Sequence, residues 1–360
     1  MKKILIGLSG GVDSAVSALL LKKQGYQVLA AFMKNFSETK NPISGECNWV
    51  EEKIMAQRIA AFLDIPLIIL DLEKEYTSQV IKPMTESYRK GLTPNPDVAC
   101  NTIIKFPWLR KAAKKHNCQF IATGHYARIK KQGNVFHLLR AKDESKDQSY
   151  FLSELGQADL QNTLFPVGNM TKSQVRTIAK KLKFPNADKK GTKGICFVGK
   201  VNLKSFLERT IKNKPGQVKD PEGNIIGKHP GIMYYTIGQR VGQHLGFDIA
   251  KSKEHITKKY YIAEKNARTN TLIVAPENHP ILSKKSCYLA NIHHINTKSK
   301  FPIKVKVRIR HLGDLLPATI KTKSNKILVQ FTKPISALAA GQVLVVYKGQ
   351  EVLGCGEIRY

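Results

Sequence analysis

The chain has 360 residues, with 59 Lys and Arg against 27 Asp and Glu, and a formal net charge of +32 at pH 7. That length allows two or three domains, and an apolar content of 42% is that of a globular protein. No apolar run is long enough to span a bilayer, and Met1-Lys2-Lys3 leads straight into a short strand-like run rather than a signal peptide, so a cytoplasmic protein is expected.

In chain order, Ile4 to Ile6, Val28 to Phe32, Leu67 to Leu70 and Phe120 to Ala122 read as short buried strands. Between them, Asp13 to Gln24, Glu51 to Leu63, Ser78 to Arg89 and Phe106 to His116 carry helical periodicity. The alternation predicts an α/β domain over 1–210, with a parallel sheet covered on both faces and its ligand site at the carboxyl ends of the strands. Three distant segments then face one pocket: the glycine-rich turn at 9–14, Met33-Lys34-Asn35 and Gly124-His125. A further helix is expected from Lys172 to Leu182. After Pro215-Gly216 turns multiply, which predicts a small mixed domain over 211–275. The rest, 276–360, reads as a small β-barrel with strands at Ile303 to Ile309, Ala318 to Lys321, Ile327 to Phe331, Val343 to Tyr347 and Glu351 to Cys355.

The sharpest motif is Ser9-Gly10-Gly11-Val12-Asp13-Ser14 between a strand and a helix. Glycines let backbone N–H groups approach an anion, and the helix N-terminus adds a positive dipole end. The string is neither a dinucleotide fingerprint nor a Walker A loop. It resembles the pyrophosphate (PP) loop of the ATP-pyrophosphatases, which split ATP between the α and β phosphates and adenylate a substrate oxygen. An ordinary glycine turn would leave Ser9, Asp13 and Ser14 without a reason for sitting where phosphate and metal ligands are wanted.

Six cysteines occur, and none forms a C-x-x-C pair, which argues against a local zinc site and against a disulfide scaffold. Cys118 and Cys287 fit buried packing positions. Cys100 closes Thr93-Pro94-Asn95-Pro96-Asp97-Val98-Ala99-Cys100-Asn101, where two prolines stiffen the backbone and Asp97 lies within reach on a turn. A carboxylate beside a thiol suits proton transfer with nucleophilic attack. Cys196, in Gly194-Ile195-Cys196-Phe197-Val198-Gly199, has lysines nearby that favour a thiolate; alone it reads equally as a buried strand residue. Two reactive thiols could pass sulfur and close a disulfide. The positive charge favours a nucleic-acid partner, although a compositional preference for lysine would leave the same excess.

Seven motifs together resemble the bacterial tRNA-specific 2-thiouridylase family of the PP-loop superfamily, over nearly the whole chain. They are G-L-S-G-G-V-D-S at 7–14, F-M-K-N at 32–35, T-P-N-P-D-V-A-C-N at 93–101, A-T-G-H-Y-A-R at 122–128, K-D-Q-S-Y-F-L at 146–152, G-I-C-F-V-G at 194–199 and Y-T-I-G-Q-R at 235–240. The resemblance implies an ATP- and Mg²⁺-dependent enzyme that replaces the C2 oxygen of the wobble uridine with sulfur. It implies ATP contacts from Gly7, Leu8, Ser9, Gly10, Gly11, Val12, Asp13, Ser14, Met33 and Gly124. Asn95, Pro96 and Asp97 would meet the target base, with Asp97 as acid/base. Cys196 would carry the persulfide and Cys100 would be its partner nucleophile. His125, Lys146, Asp147, Gln148, Arg308, Arg310 and Gln342 would touch the tRNA. No resident metal ligands are implied.

Also implied are tRNAs for Lys, Glu and Gln as substrates, a sulfur-relay protein or cysteine desulfurase as donor, and a monomer. Two segments depart from the family pattern. Gly191-Thr192-Lys193-Gly194 stands where an Asp-Ser-x-Gly is usual, and Val241 to Phe247 replaces a glycine-rich run. From the residues alone two other classes stay open: an amide-forming synthetase, which would want an ammonia source, and a tRNA-binding protein that senses ATP without chemistry.

Overall fold

The computed structural model of the chain describes residues 1–37, 48–189, 203–242, 248–249, 259–296 and 300–360. Three sheets organise it. In the first, β1 (Lys3–Gly7), β2 (Gln27–Lys34), β3 (Leu67–Asp71) and β4 (Phe120–Ala122) are joined by an edge strand that follows a hairpin. The hairpin is β5 (Ala127–Gln132) and β6 (Val135–Arg140), and the edge strand is β7 (Thr163–Leu164). The order is β3-β2-β1-β4-β7, and every pairing is parallel. Ile4, Leu5 and Ile6 are fully buried, because helices cover both faces of a parallel sheet. Helix α1 (Val12–Lys23) packs on one face and the helix Phe106–Lys115 on the other. The strand order reverses between β1 and β4, so the crevice at their carboxyl ends is the expected ligand site.

The second sheet runs β10-β9-β8-β12-β11, built from β8 (Gly216–Lys219), β9 (Ile225–His229), β10 (Asp248–Ile249), β11 (Tyr260–Asn266) and β12 (Thr271–Pro276). Its core merges with that of the first domain. Tyr235, Ile262 and Leu272 share one buried cluster with Cys100, Ile104, Tyr76 and Phe206.

The third sheet comprises β13 (Ser283–His294), β14 (Ile303–Arg308), β15 (Leu316–Lys323), β16 (Lys326–Ser336), β17 (Val343–Lys348) and β18 (Glu351–Arg359). The order β13-β16-β15-β14-β17-β18 closes on itself through β13–β18 pairing, giving a six-stranded barrel. Closure removes exposed strand edges. The expected barrel strands are present, and β13 joins them as the closing strand. Its Lys-Lys-Ser-Cys run hides the apolar alternation that marks the others.

The hairpin β5–β6 belongs in sequence to the first domain but extends the barrel sheet, through register Glu351↔Leu139 and a bond from Arg140 N to the Gln350 carbonyl of 2.8 Å. Just beyond β6 lies a buried charge cluster. Asp147 is 0% exposed; its carboxylate accepts from Arg308 at 2.6 Å and from the backbone N–H of Ala141 and Ser149 at 3.1 and 3.2 Å. Arg140 Nε stands 3.4 Å away. The cluster joins the α/β domain to the barrel strand β14.

Removing one member of a buried pair costs about 3–5 kcal/mol, because the partner charge is left uncompensated. Asp147→Ala should therefore lower the thermal midpoint by several degrees in scanning calorimetry. A midpoint within a degree of the parent would show that the two arginines are solvated there.

Candidate active site

The turn after β1 is shaped by close contacts. Gly10 adopts φ +73°, and a Cβ there would lie 2.7 Å from the Glu52 carbonyl. Gly124, after β4, packs so closely that a Cβ would lie 2.6 Å from Ser14 N. Both positions require glycine. Ser14 Oγ donates to the Gly11 carbonyl at 3.0 Å, and Asn186 Nδ2 donates to the Gly10 carbonyl at 3.1 Å. Helix α1 begins at Gly11 with no side-chain cap, so its first-turn N–H groups remain available to an anion. Met33, at the end of β2, and Gly7, at the end of β1, complete the floor beside Leu109.

Asp13 points to two residues that the motifs did not single out. Lys172 Nζ donates to both of its carboxylate oxygens, at 2.6 and 2.7 Å, and the Tyr126 hydroxyl donates to one at 2.8 Å. Lys172 is the first residue of the helix Lys172–Lys181, set by a capping box in which Thr171 and Gln174 bond reciprocally. A lysine in a first turn opposes the helix dipole, and that misfit was its signal in the sequence. Tyr126 is held in turn by Gln148, which accepts from its backbone N–H at 2.9 Å and donates its own N–H to its carbonyl at 2.8 Å.

Cys100 belongs to a buried cluster against which Met33, at the end of β2, also packs. Pro96–Ala99, a π-helical turn Cys100–Lys105 and the helix Phe106–Lys115 run on continuously. Asn95 caps the start by accepting from Val98 N at 3.2 Å, Pro96 is buried, and Asp97 lies in the first turn, partly exposed. Cys100 is 1% exposed. Asn95 Nδ2 also reaches Gln342 Oε1 of the barrel, at 3.4 Å, so two expected base or tRNA contacts from opposite ends of the chain meet.

His125 stacks near-parallel on Phe106, with ring centroids 6.1 Å apart, and lies edge-on to Phe165. Burial pushes its pKa well below the ordinary imidazole value, and the Lys105 ammonium pushes the same way, so it is neutral at pH 7. Its Nε2 faces Lys105 Nζ at 3.5 Å, and an ammonium has no acceptor to offer. The ring proton therefore sits on Nδ1 and is given to Thr123 Oγ1 at 2.7 Å.

The expected tRNA contacts divide into two sets. Lys146 and Arg310 are exposed, and Gln148 is partly so. Asp147 and Arg308 are buried and bonded to each other; their side chains face inward and place the exposed neighbours. Cys196, Gly191 to Lys193 and the 243–247 part of the second departing segment lie outside the described residues. Burial pushes the Cys287 and Cys355 thiols up to about 12, which suits inert packing residues.

A parallel α/β domain with an anion-ready turn, followed by a mixed sheet and a closed barrel, matches three family models in succession. These are a tRNA methyl transferase HUP domain over 2–200, a tRNA methyl transferase PRC-barrel domain over 204–276 and an aminomethyltransferase β-barrel domain over 284–358. The fold and the site thus define a three-part protein of the tRNA-modifying class. Among its relatives, the tRNA-specific 2-thiouridylase MnmA 1 of Geobacillus kaustophilus is 40% identical over 98% of this chain and 94% of the relative. The tRNA-specific 2-thiouridylase MnmA of Coxiella burnetii is 41% identical over 99% and 97%, and that of Streptococcus sanguinis 39% over 99% and 95%. The chain belongs to the tRNA-specific 2-thiouridylase family.

The clasp on Asp13 is open to test. Lys172→Met should weaken ATP binding about tenfold in calorimetry, the loss of roughly one charge-assisted contact. Tyr126→Phe should weaken it by a smaller factor. Equal affinities for parent and both variants would remove Lys172 and Tyr126 from the nucleotide site.

Proposed function

We propose that the protein is an ATP-dependent tRNA sulfurtransferase that converts the wobble uridine to 2-thiouridine. The observation that carries this reading is that the helical segment bearing Asp97 and Cys100 reaches the uncapped glycine turn through Lys105, His125 and Gly124. Full-length likeness to relatives named 2-thiouridylases supports it. The names of the first two family models point to methyl transfer instead. Methyl transfer gives no role to a phosphate-ready turn or to Cys100 beside Asp97, and it releases no pyrophosphate.

In this reading ATP lies on Gly7 to Ser14, with Met33 and Gly124 beside the adenosine. The uracil C2 oxygen attacks the α-phosphorus, and pyrophosphate leaves. A urea-like carbonyl oxygen is a poor leaving group; as part of AMP it becomes a good one. Asp97 takes the proton released from the uracil ring. A persulfide on Cys196 then supplies sulfur. Either its terminal sulfur attacks C2 and Cys100 cleaves the resulting disulfide link, or Cys100 first displaces hydrosulfide, which attacks. Both routes expel AMP and leave a Cys100–Cys196 disulfide, which a cellular reductant must reopen.

Mg²⁺ fits the donors present. The Ser14 hydroxyl and the Asp13 carboxylate, which would exchange one of its two Lys172 bonds for the ion, suit a cation that arrives with nucleotide phosphates rather than in a protein cage. When bound it would neutralise charge on the departing pyrophosphate. The base must leave the anticodon stack to reach the crevice, which costs little in a single-stranded loop. Exposed Lys146 and Arg310, with Gln148 and Gln342, would guide it. The tRNAs for Lys, Glu and Gln, a relay protein or desulfurase as donor, a cytoplasmic location and a monomeric state belong to the same reading. No helix among the described residues is long and apolar enough to cross a membrane.

Cys100→Ser and Cys196→Ser should each abolish 2-thiouridine formation, scored by nucleoside mass spectrometry, while tRNA-dependent pyrophosphate release survives. Full thiolation by either variant would overturn the two-thiol route. Pyrophosphate release that ignores tRNA would favour a small-molecule synthetase.

A further inference from the structure

The proposed reaction gives work to two thiols, to the Asp97 and Asp13 carboxylates and to the glycine turn, and none to Lys105. Yet three observations bring its ammonium to the crevice between β1 and β4. First, Lys105 lies one helical turn before Leu109, on the same face, and Leu109 Cδ1 is 3.4 Å from where a Gly7 Cβ would stand. Helical side chains lean towards the N-terminus, so Lys105 covers the ground just beyond Gly7, at the carboxyl edge of the sheet. Second, its Nζ is 3.5 Å from His125 Nε2. His125 follows Gly124, whose backbone presses on Ser14 N. Third, Lys105 makes no ion pair with a carboxylate among the described residues. Lys34 is paired with Asp71 and Glu73, and Lys172 with Asp13. A partly buried cation whose near partner, among the described residues, is a neutral imidazole is set up to receive an anion.

The π-helical turn explains how one helix can serve both thiol and phosphate. In an α-helix, residues five apart point about 140° from each other. The i→i+5 register of Cys100–Lys105 instead brings the first and last residues of the turn over one another. The cation thus follows the thiol on one face, between Cys100 and the glycine turn.

We propose that Lys105 is the cation that meets the α-phosphate. This rests on the reading of the protein as an ATP-dependent enzyme. Its ammonium contacts a non-bridging oxygen of the α-phosphoryl group while that group passes from pyrophosphate to the uracil oxygen. It keeps that contact when sulfur displaces AMP. A fixed positive charge acts most where negative charge develops in a site shielded from water. His125, neutral and with Nε2 turned to the ammonium, steers the lysine without competing for the phosphate.

The test compares AMP with adenosine on the full chain, by calorimetry, for the parent, Lys105→Met, Lys105→Gln and Lys105→Arg. The two ligands differ only in the α-phosphate. The parent should prefer AMP. Lys105→Met and Lys105→Gln should lose at least tenfold of that preference with adenosine affinity unchanged, and Lys105→Arg should keep most of it. The kcat for tRNA-dependent pyrophosphate release should fall at least a hundredfold in the Met variant with little change in the KM for tRNA. An AMP preference equal to the parent's in both neutral variants overturns the assignment alone. Loss of adenosine affinity in both makes Lys105 a prop for His125 and also overturns it. A parent with no preference for AMP overturns it together with the ATP-dependent reading.

Discussion

The Asp13 carboxylate takes two hydrogen bonds from the Lys172 ammonium and one from the Tyr126 hydroxyl. An acidic residue in the first turn of α1 suits the helix dipole, by about 0.3–1 kcal/mol. Beside a polyphosphate the same charge would repel, on the order of 4 kcal/mol at 4 Å near a protein surface. Repulsion would win, so an uncompensated Asp13 would spoil the anion site that the glycines prepare. Lys172 reverses the balance by bringing a positive charge to the helix start. Tyr126 fixes the carboxylate's direction, and burial together with the Asp13 charge pushes its phenol pKa far up, so it stays protonated as a donor.

From that clasp a chain of contacts runs to the far domain. Tyr126 is bonded to Gln148, Gln148 adjoins Asp147, and Asp147 is locked to Arg308 on β14. A second tie runs from Thr93 N to the Ala340 carbonyl at 2.9 Å and from Asn95 to Gln342. Gly341 packs so tightly on this segment that a Cβ would lie 2.9 Å from Thr93 N. The barrel therefore sets the position of the Pro-Asn-Pro-Asp segment as much as its own prolines do. The barrel and the crevice of the parallel sheet are held in one frame by a few buried polar contacts.

Much of this was legible in the residues. Fully apolar runs such as Ile4 to Ile6 can only be strands buried on both faces, and the glycine turn follows from its own chemistry. Local pattern could not show pairing between residues far apart in the chain. Asp147 and Arg308 read as charged surface contacts until folding brought them together in the interior. The hairpin β5–β6 looked like part of the first domain and proves to be shared with the barrel sheet. The closing strand β13 escaped notice because its polar start breaks the alternation. Lys172 carries no motif and Tyr126 lies within one that gave it no role, and only the folded chain shows both of them on Asp13. The π-helical register at Cys100 also lies beyond periodicity, since one extra residue per turn changes which side chains align.

The central claim is that the base oxygen is activated first and displaced by sulfur second. It is tested most directly with tRNA carrying oxygen-18 at C2 of the wobble uracil, turned over by persulfide-loaded protein with ATP. The account predicts that the label appears in the phosphate of AMP in step with 2-thiouridine formation. Label released to water, or thiolation without labelled AMP, would contradict it.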